Sequence, residues 1–261
     1  MKNILITLLI FTFLLIIGCS STCMEYRSAT TAARSEKNLQ RAEEWGLKAM
    51  EMPECNPANN AQAPYFLATE VYLPRKDYRK MGEMLTIAIH RNPDQLLENP
   101  FKLGDTPIKT IAEGVEAYRE QEWVAIYNKT VNLIKRGKVD KALKQIEIAI
   151  LINHTKVENY ITMAKVYLEN EDIKSAISSI DRGLEVDKKN SSLYQMKADI
   201  AAQNNELEKA LTLYLNAVQY SNDPGPIMRK LLFIYIDLKK NQIAIDYSNE
   251  LLDKYPDDPE W

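Results

Sequence analysis

Residues 157–190 read VENYITMAKVYLENEDIKSAISSIDRGLEVDKKN, and the next 34 residues, 191–224, read SSLYQMKADIAAQNNELEKALTLYLNAVQYSNDP. The two segments align without a gap, and their small, aliphatic and aromatic residues fall at the same positions. The pattern continues on both sides, so that four copies adjoin, at 123–156, 157–190, 191–224 and 225–258. A fixed period of this length is typical of proteins in which each repeat is one supersecondary unit stacked on its neighbours.

The shared positions predict what each copy folds into. The twentieth position is small in every copy: Ala142, Ala176, Ala210 and Ala244. The twenty-eighth position is large and apolar: Ile150, Leu184, Val218 and Leu252. Two antiparallel helices approach closely only where side chains are small, and larger residues fill the grooves between them. Each copy is therefore predicted to be a helical hairpin.

This 34-residue pattern resembles the tetratricopeptide repeat, in which a first and a second helix make one hairpin. Two weaker copies precede the strong array, in 23–56 and 61–93, where Ala42, Ala49 and Ala88 hold small positions of the pattern. The resemblance implies an all-α fold, an α-α superhelix or solenoid of about six hairpins. Residues 19–94 would then hold two degenerate hairpins, and 123–258 four regular ones.

The segment 95–122 fits no repeat. Its residues Asn99–Asp105 predict a loop, and Thr106-Pro107 resembles a helix start because proline is favoured at the first helical position. The apolar spacing from Ile108 onwards predicts a connecting helix that runs towards Trp123.

The N-terminal residues have the pattern of an export signal. After Lys2 comes a mostly apolar run, Ile4–Ile17, which has the length of a signal-peptide core and is short for a membrane span. It ends at Gly18-Cys19, which resembles the lipobox of bacterial lipoproteins. That resemblance implies that 1–18 is removed and that Cys19 carries acyl chains, palmitate among them. An ordinary secretory signal or an uncleaved anchor is the alternative.

The resemblance also implies a location. Ser20 follows the cysteine, as in lipoproteins that are sent to the outer membrane, so we expect a lipid-anchored envelope protein in that membrane, facing the periplasm. The net charge of -3 gives no basic footprint, which argues against nucleic acid as a partner. The two histidines lack companions at ligand spacing, and the motifs of phosphate loops and nucleophile elbows are missing. The sequence thus predicts no cofactor, metal site or catalytic residue.

The two remaining cysteines, Cys23 and Cys55, fall at the start of one helix and the end of its antiparallel partner in the first weak copy. These points lie at the same end of a hairpin, so a disulfide between them is geometrically plausible. Two separate thiols are the alternative, and the sequence leaves both open.

The candidate binding surface follows from the resemblance. In tetratricopeptide arrays, residues of the first helices line a concave face, which here gives a set of six: Tyr127, Val131, Lys165, Gln195, Arg229 and Phe233. Their mixed chemistry suits an extended peptide or a partner helix. The alternative is that they merely cover the core between helices.

The second helix of the fourth copy, 225–258, is less polar than the second helices of the other three copies. Ile243, Tyr247 and Leu251 recur at every fourth position, which predicts one apolar stripe. This stripe would bind either a second copy of the chain, giving self-association, or a partner. The alternative is that Trp261 folds back over it or that the register slips.

These patterns predict a membrane-anchored scaffold or adaptor for proteins or peptides in an envelope complex, and not an enzyme. The competing hypothesis is an enzyme, or an accessory factor of one, that acts on cell-wall material. A smooth polar concave face favours the adaptor, because a regular solenoid uses its residues for stacking.

Overall fold

A computed structural model describes residues 23–53, 55 and 59–254 of the chain. The predicted signal peptide, Cys19 and the tail with Trp261 therefore lie outside the described residues. The chain divides into two compact units, Met1–Glu122 and Trp123–Trp261, each with its own internal packing. Among the described residues no helix is both long and apolar enough to span a bilayer.

In its described residues, the first unit contains four helices and a β-hairpin before its long last helix. In chain order they are α1 (Met24–Arg34), α2 (Leu39–Glu51), α3 (Gln62–Phe66) with a π-helical continuation (Leu67–Tyr72), α4 (Tyr78–Arg91), β1 (Leu96–Leu103), β2 (Thr106–Thr110) and the start of α5 (Ile111–Lys135). The side chains of Asn38 and Asp77 accept hydrogen bonds from backbone N–H groups at the starts of α2 and α4. Such caps satisfy donors that a helix end leaves unpaired.

The β-hairpin corrects the prediction for 95–122. Leu103 pairs with Thr106 in an antiparallel ladder, and Gly104 between them has a φ of 59°. Gly-Asp with a positive φ at glycine is a favoured two-residue hairpin turn. The predicted loop at Asn99–Asp105 and the predicted helix start at Thr106-Pro107 are therefore wrong.

The helix instead begins at Ile111, and a capping box explains why. The Glu113 carboxylate accepts hydrogen bonds from the N–H groups of Lys109 and Thr110, at 2.7 and 3.0 Å, and the Thr110 hydroxyl oxygen accepts one from the N–H of Glu113 at 3.3 Å. This reciprocal pairing fixes a helix start at Thr110. The two backbone hydrogen bonds lower the pKa of Glu113.

Over residues 123–254, the second unit consists of four helical hairpins. Its helices are α5 from Trp123 onwards, α6 (Val139–Ile152), α7 (Val157–Glu169), α8 (Ile173–Val186), α9 (Ser191–Gln203), α10 (Leu207–Tyr220), α11 (Gly225–Asp237) and α12 (Asn241–Lys254). The alanines at the twentieth position are buried in all four hairpins: Ala142, Ala176, Ala210 and Ala244. The predicted fold class, a helical solenoid of stacked hairpins, is confirmed.

Every hairpin turn has one residue in the left-handed region, at the same place after the first helix. These residues are Lys37, Lys76, Gly137, Glu171, Asn205 and Lys239, with φ between 56° and 66°. At Glu171, for example, the N–H of Asp172 reaches Tyr167 O at 2.9 Å and the N–H of Glu171 reaches Leu168 O at 3.0 Å. This is the Schellman arrangement that ends a helix. The same turn recurs in six hairpins, four of them in the second unit.

Candidate protein-binding surface

Neighbouring first helices of the second unit lie side by side. The Tyr127 hydroxyl on α5 is 2.8 Å from the Thr162 hydroxyl on α7. Lys230 Nζ on α11 donates to both carboxylate oxygens of Asp199 on α9, at 2.7 and 2.8 Å. These bonds join residues from the middle of each first helix. We call the surface that they cross the first-helix surface, defined by the six predicted residues Tyr127, Val131, Lys165, Gln195, Arg229 and Phe233.

Tyr127 is partly committed to packing. Its ring stacks on Trp123 with the centroids 4.9 Å apart, and Trp123 Nε1 donates to Asn159 Oδ1 at 2.8 Å. Asn159 in turn donates to the backbone oxygen of Asn153. Tyr127 is therefore half-buried and joins the first two hairpins through its hydrogen bond to Thr162.

Asp199 neutralises the middle of the surface. Besides Lys230, it accepts a hydrogen bond from the Tyr214 hydroxyl on α10. Burial raises the pKa of Tyr214, and the hydrogen bond to Asp199 raises it further. Because the lysine, the carboxylate and the phenol satisfy one another, this part of the surface is polar without a net charge.

Phe233 contributes an exposed apolar side chain to the first-helix surface. Its side chain is 63% exposed, the highest value among the described large apolar residues of the second unit. It lies on α11, as Arg229 does one turn earlier, and Arg229 is half-buried. Aromatic residues and arginine are enriched in protein interfaces. Of the other predicted residues, Lys165 is exposed, and Val131 and Gln195 are half-buried.

The predicted terminal stripe is not a continuous exposed surface. Leu251 is fully buried, whereas Ile243 is 47% exposed. Tyr247 packs edge-on against Tyr235 of α11, with the centroids 5.6 Å apart. The reason is helical geometry, because eight residues advance by about 80° beyond whole turns. The row thus starts on the outside at Ile243 and ends in the core at Leu251.

The first unit holds the cysteine pair. Cys23 and Cys55 are joined by a disulfide with a Cα–Cα distance of 4.7 Å, so the structure contains the bonded form of the two alternatives. Glu25 Oε2 lies 3.3 Å from Cys55 Sγ. Among the described residues these three form a group of potential metal ligands, but sulfurs bonded to each other offer no thiolate to a metal. His90 and His154 are both exposed.

The 34-residue period, the buried alanines and the recurrent left-handed turn define a protein of tetratricopeptide-like helical repeats. No protein-family model matches the chain, and no curated protein matches it.

Several solved structures are similar in fold. One is from a functional characterisation of PilF of Pseudomonas aeruginosa, 14% identical, covering 90% of this chain and 92% of that one, with a TM-score of 0.44. Another is PilW, described as a widely conserved type IV pilus biogenesis factor, 14% identical, covering 91% and 94%, with a TM-score of 0.42. A third is YrrB, described as a TPR protein with an unusual peptide-binding site, 18% identical, covering 88% and 97%, with a TM-score of 0.34.

Proposed function

We propose that this protein is a lipid-anchored scaffold or adaptor that binds a protein or peptide partner on its first-helix surface, within a complex of the cell envelope. The observation that carries the proposal is Phe233, an aromatic side chain that is 63% exposed on a surface formed by aligned first helices. Such a surface suits an amphipathic helix or an extended peptide that places one apolar residue against the aromatic ring.

The residues around Phe233 on the first-helix surface are polar, so we expect the partner to present polar groups around its apolar contact. Lys165 is exposed, Gln195 and Arg229 are half-buried, and Asp199 is already paired with Lys230. Aromatic and arginine side chains supply most of the affinity of such interfaces, and the surrounding polar residues supply complementarity. We therefore expect the affinity to depend strongly on Phe233 and weakly on Lys165.

The anchor is the second part of the proposal. Acylation of Cys19 would leave four residue steps to Cys23, or about 14 Å of extended chain. This short linker would then hold the first hairpin close to the bilayer surface. A disulfide is stable in an oxidising compartment such as the periplasm, which is consistent with the outer membrane facing the periplasm as the location.

The test uses affinity capture after crosslinking in intact membranes. The Phe233→Ala protein should recover much less of the partner than the unaltered protein does. Leu215→Ala is the matched control, because Leu215 is a 45% exposed apolar residue on the second helix α10. Equal recovery from the Phe233→Ala and Leu215→Ala proteins would contradict the proposed surface.

A further inference from the structure

Three positions of the 34-residue repeat are apolar in all four hairpins of the second unit. In the first three hairpins they are partly buried: Ile134, Leu143, Ile150; Leu168, Ile177, Leu184; Ala202, Leu211, Val218. In the fourth hairpin they are Ile236, Ile245 and Leu252, and these are 49%, 55% and 45% exposed. The sequence pattern is the same in all four hairpins, whereas the burial changes at the last one.

In the second and third hairpins, the first helix of the following hairpin contributes to this burial. Leu168, Ile177 and Leu184 pack against the cluster that contains Leu193 and Ile200 of α9. In the same way, Ala202, Leu211 and Val218 pack against the cluster that contains Ile227, Leu231 and Ile234 of α11. The three positions are thus a surface that receives a helix, and we call Ile236, Ile245 and Leu252 the terminal acceptor surface.

The helices that occupy the equivalent surfaces show what fits. α11 presents Ile227, Leu231 and Ile234, which are spaced i, i+4 and i+7. α9 presents Leu193 and Ile200, which are spaced i and i+7 like Ile227 and Ile234. Both helices are 13 residues long. An occupant of the terminal acceptor surface therefore needs a short amphipathic helix with one apolar stripe.

The charged residues beside the terminal acceptor surface indicate which kind of helix would bind there. Asp246 follows Ile245 and Asp253 follows Leu252, and both aspartates are exposed. Earlier hairpins lack this pair of acids, since the equivalent positions are Lys144 and Leu151, Ser178 and Glu185, and Thr212 and Gln219. A helix with lysine or arginine beside its apolar stripe would match the acidic rim. Two copies of this chain meeting end to end would instead bring like charges together.

We propose that the terminal acceptor surface binds a basic amphipathic helix of a partner protein, whose i, i+4 and i+7 apolar residues cover Ile236, Ile245 and Leu252. This surface extends the stacking interface that recurs between the hairpins of the second unit. It goes beyond the proposed function, because two of its three residues, Ile245 and Leu252, lie on the second helix α12.

The experiment measures binding of a defined probe to the detergent-solubilised full chain. The probe is a fluorescent alanine- and lysine-based helical peptide of about 16 residues with leucines at i, i+4 and i+7. The control peptide has the same composition, but its leucines are at i, i+2 and i+5 and so do not form one stripe. We expect fluorescence anisotropy to show binding of the first peptide and at least about tenfold weaker binding of the second.

Two variants of one helix give the matched comparison. Ile245→Lys should weaken binding by about tenfold or more, whereas Ile243→Lys should leave it unchanged. Ile243 is 47% exposed, so the two residues are alike in type and exposure, but they lie about 200° apart around α12. Leu215→Ala should also leave binding unchanged, because Leu215 lies on the second helix α10 of the preceding hairpin.

Three outcomes would overturn the proposal. The first is equal binding of the probe to the Ile245→Lys and Ile243→Lys proteins. The second is a doubled mass of the unaltered chain in light scattering that Ile245→Lys abolishes, because the occupant would then be a second copy. The third is binding that appears only in a chain ending at Lys254, because residues 255–261 would then be the occupant.

Discussion

Gly183 on α8 lies directly against Leu193 on α9. A Cβ atom added at Gly183 would stand 2.7 Å from Leu193 Cδ1 and 3.0 Å from Tyr160 Cβ. The glycine therefore lets the third hairpin approach the second one closely enough for Leu193 to be fully buried. The same position holds Ala149 and Ala217 in neighbouring hairpins, so a small residue there is a condition of stacking.

The first prediction follows from this contact. Gly183→Leu should lower the free energy of unfolding by about 1–3 kcal/mol, because the added side chain overpacks the interface between hairpins. Glu185→Leu, on the exposed side of the same helix, is the control and should change it by less than about 0.5 kcal/mol. Urea unfolding followed by circular dichroism measures both. Equal midpoints would mean that the hairpins do not stack through Gly183.

A second prediction concerns the turns. Glu171 has a φ of 58°, and a residue with a side chain loses about 1–2 kcal/mol in this region relative to glycine. Glu171→Gly should therefore stabilise the protein, by about 0.5–1 kcal/mol after the larger entropy loss of glycine is subtracted. Lys165→Gly, inside a helix, should instead destabilise it by about 1 kcal/mol. A loss of stability in both variants would contradict the left-handed turn.

A third prediction concerns the disulfide, which links residues 32 positions apart. Replacing Cys23 and Cys55 by serine should destabilise the first unit by about 3–4 kcal/mol in the chain-entropy model. Thermal unfolding with and without reductant measures this, and the double variant should not respond to reductant. A stability of the unaltered protein that reductant leaves unchanged would show that the two sulfurs are not bonded.

A fourth prediction concerns alkaline pH. Burial raises the pKa of Tyr65, Tyr72 and Tyr214 far above the usual tyrosine value. Groups with a raised folded-state pKa contribute stability that is fully present below their unfolded-state pKa, about 10 for tyrosine, and is lost as the pH rises further.

The free energy of unfolding should consequently fall as the pH rises above about 10. Absorbance at 295 nm should show the buried tyrosines ionising only as the protein unfolds. Ionisation of Tyr65, Tyr72 and Tyr214 at about pH 10 in the native protein would contradict their buried positions. The Tyr214→Phe protein should lose part of this pH dependence.

A fifth prediction concerns Cys19. The Cys19→Ala protein should lose its acyl chains and leave the membrane pellet, with the melting temperature of the two units unchanged. Metabolic labelling with a palmitate analogue and membrane fractionation measure this. If the Cys19→Ala protein still carried label and stayed in the pellet, the lipoprotein assignment would be wrong.

The hairpins could be predicted from the sequence because the close approach of their two helices needs a small residue at a fixed place, and a 34-residue spacing of alanines reveals it. The β-hairpin at Gly104 was missed because Pro107 resembled a helix start. The Thr110-to-Glu113 capping box was present in the sequence and would have placed the start of α5 correctly.

The surfaces were harder to predict, because exposure depends on what packs on each face. Tyr127 and Phe233 were both predicted to lie on the exposed face of a first helix. Trp123 stacks on Tyr127 and leaves it half-buried, whereas Phe233 is mostly exposed. Ile243 and Leu251 share a four-residue spacing, but the helix rotates Leu251 into the core. The sequence shows that Ile245 is equivalent to Leu143, Ile177 and Leu211 of the earlier hairpins. It does not show that Ile245 is exposed, because exposure depends on whether another helix packs on the fourth hairpin.

The central claim is that the first-helix surface binds a partner protein at the envelope. Site-specific photo-crosslinking in living cells tests it most directly, with a photoreactive amino acid placed at Phe233 and, as the control, at Leu215. We predict a discrete crosslinked product of higher mass from position 233 that is absent from position 215 and is lost when Cys19 is replaced by alanine. The absence of any product from position 233, or the same product from both positions, would contradict the account.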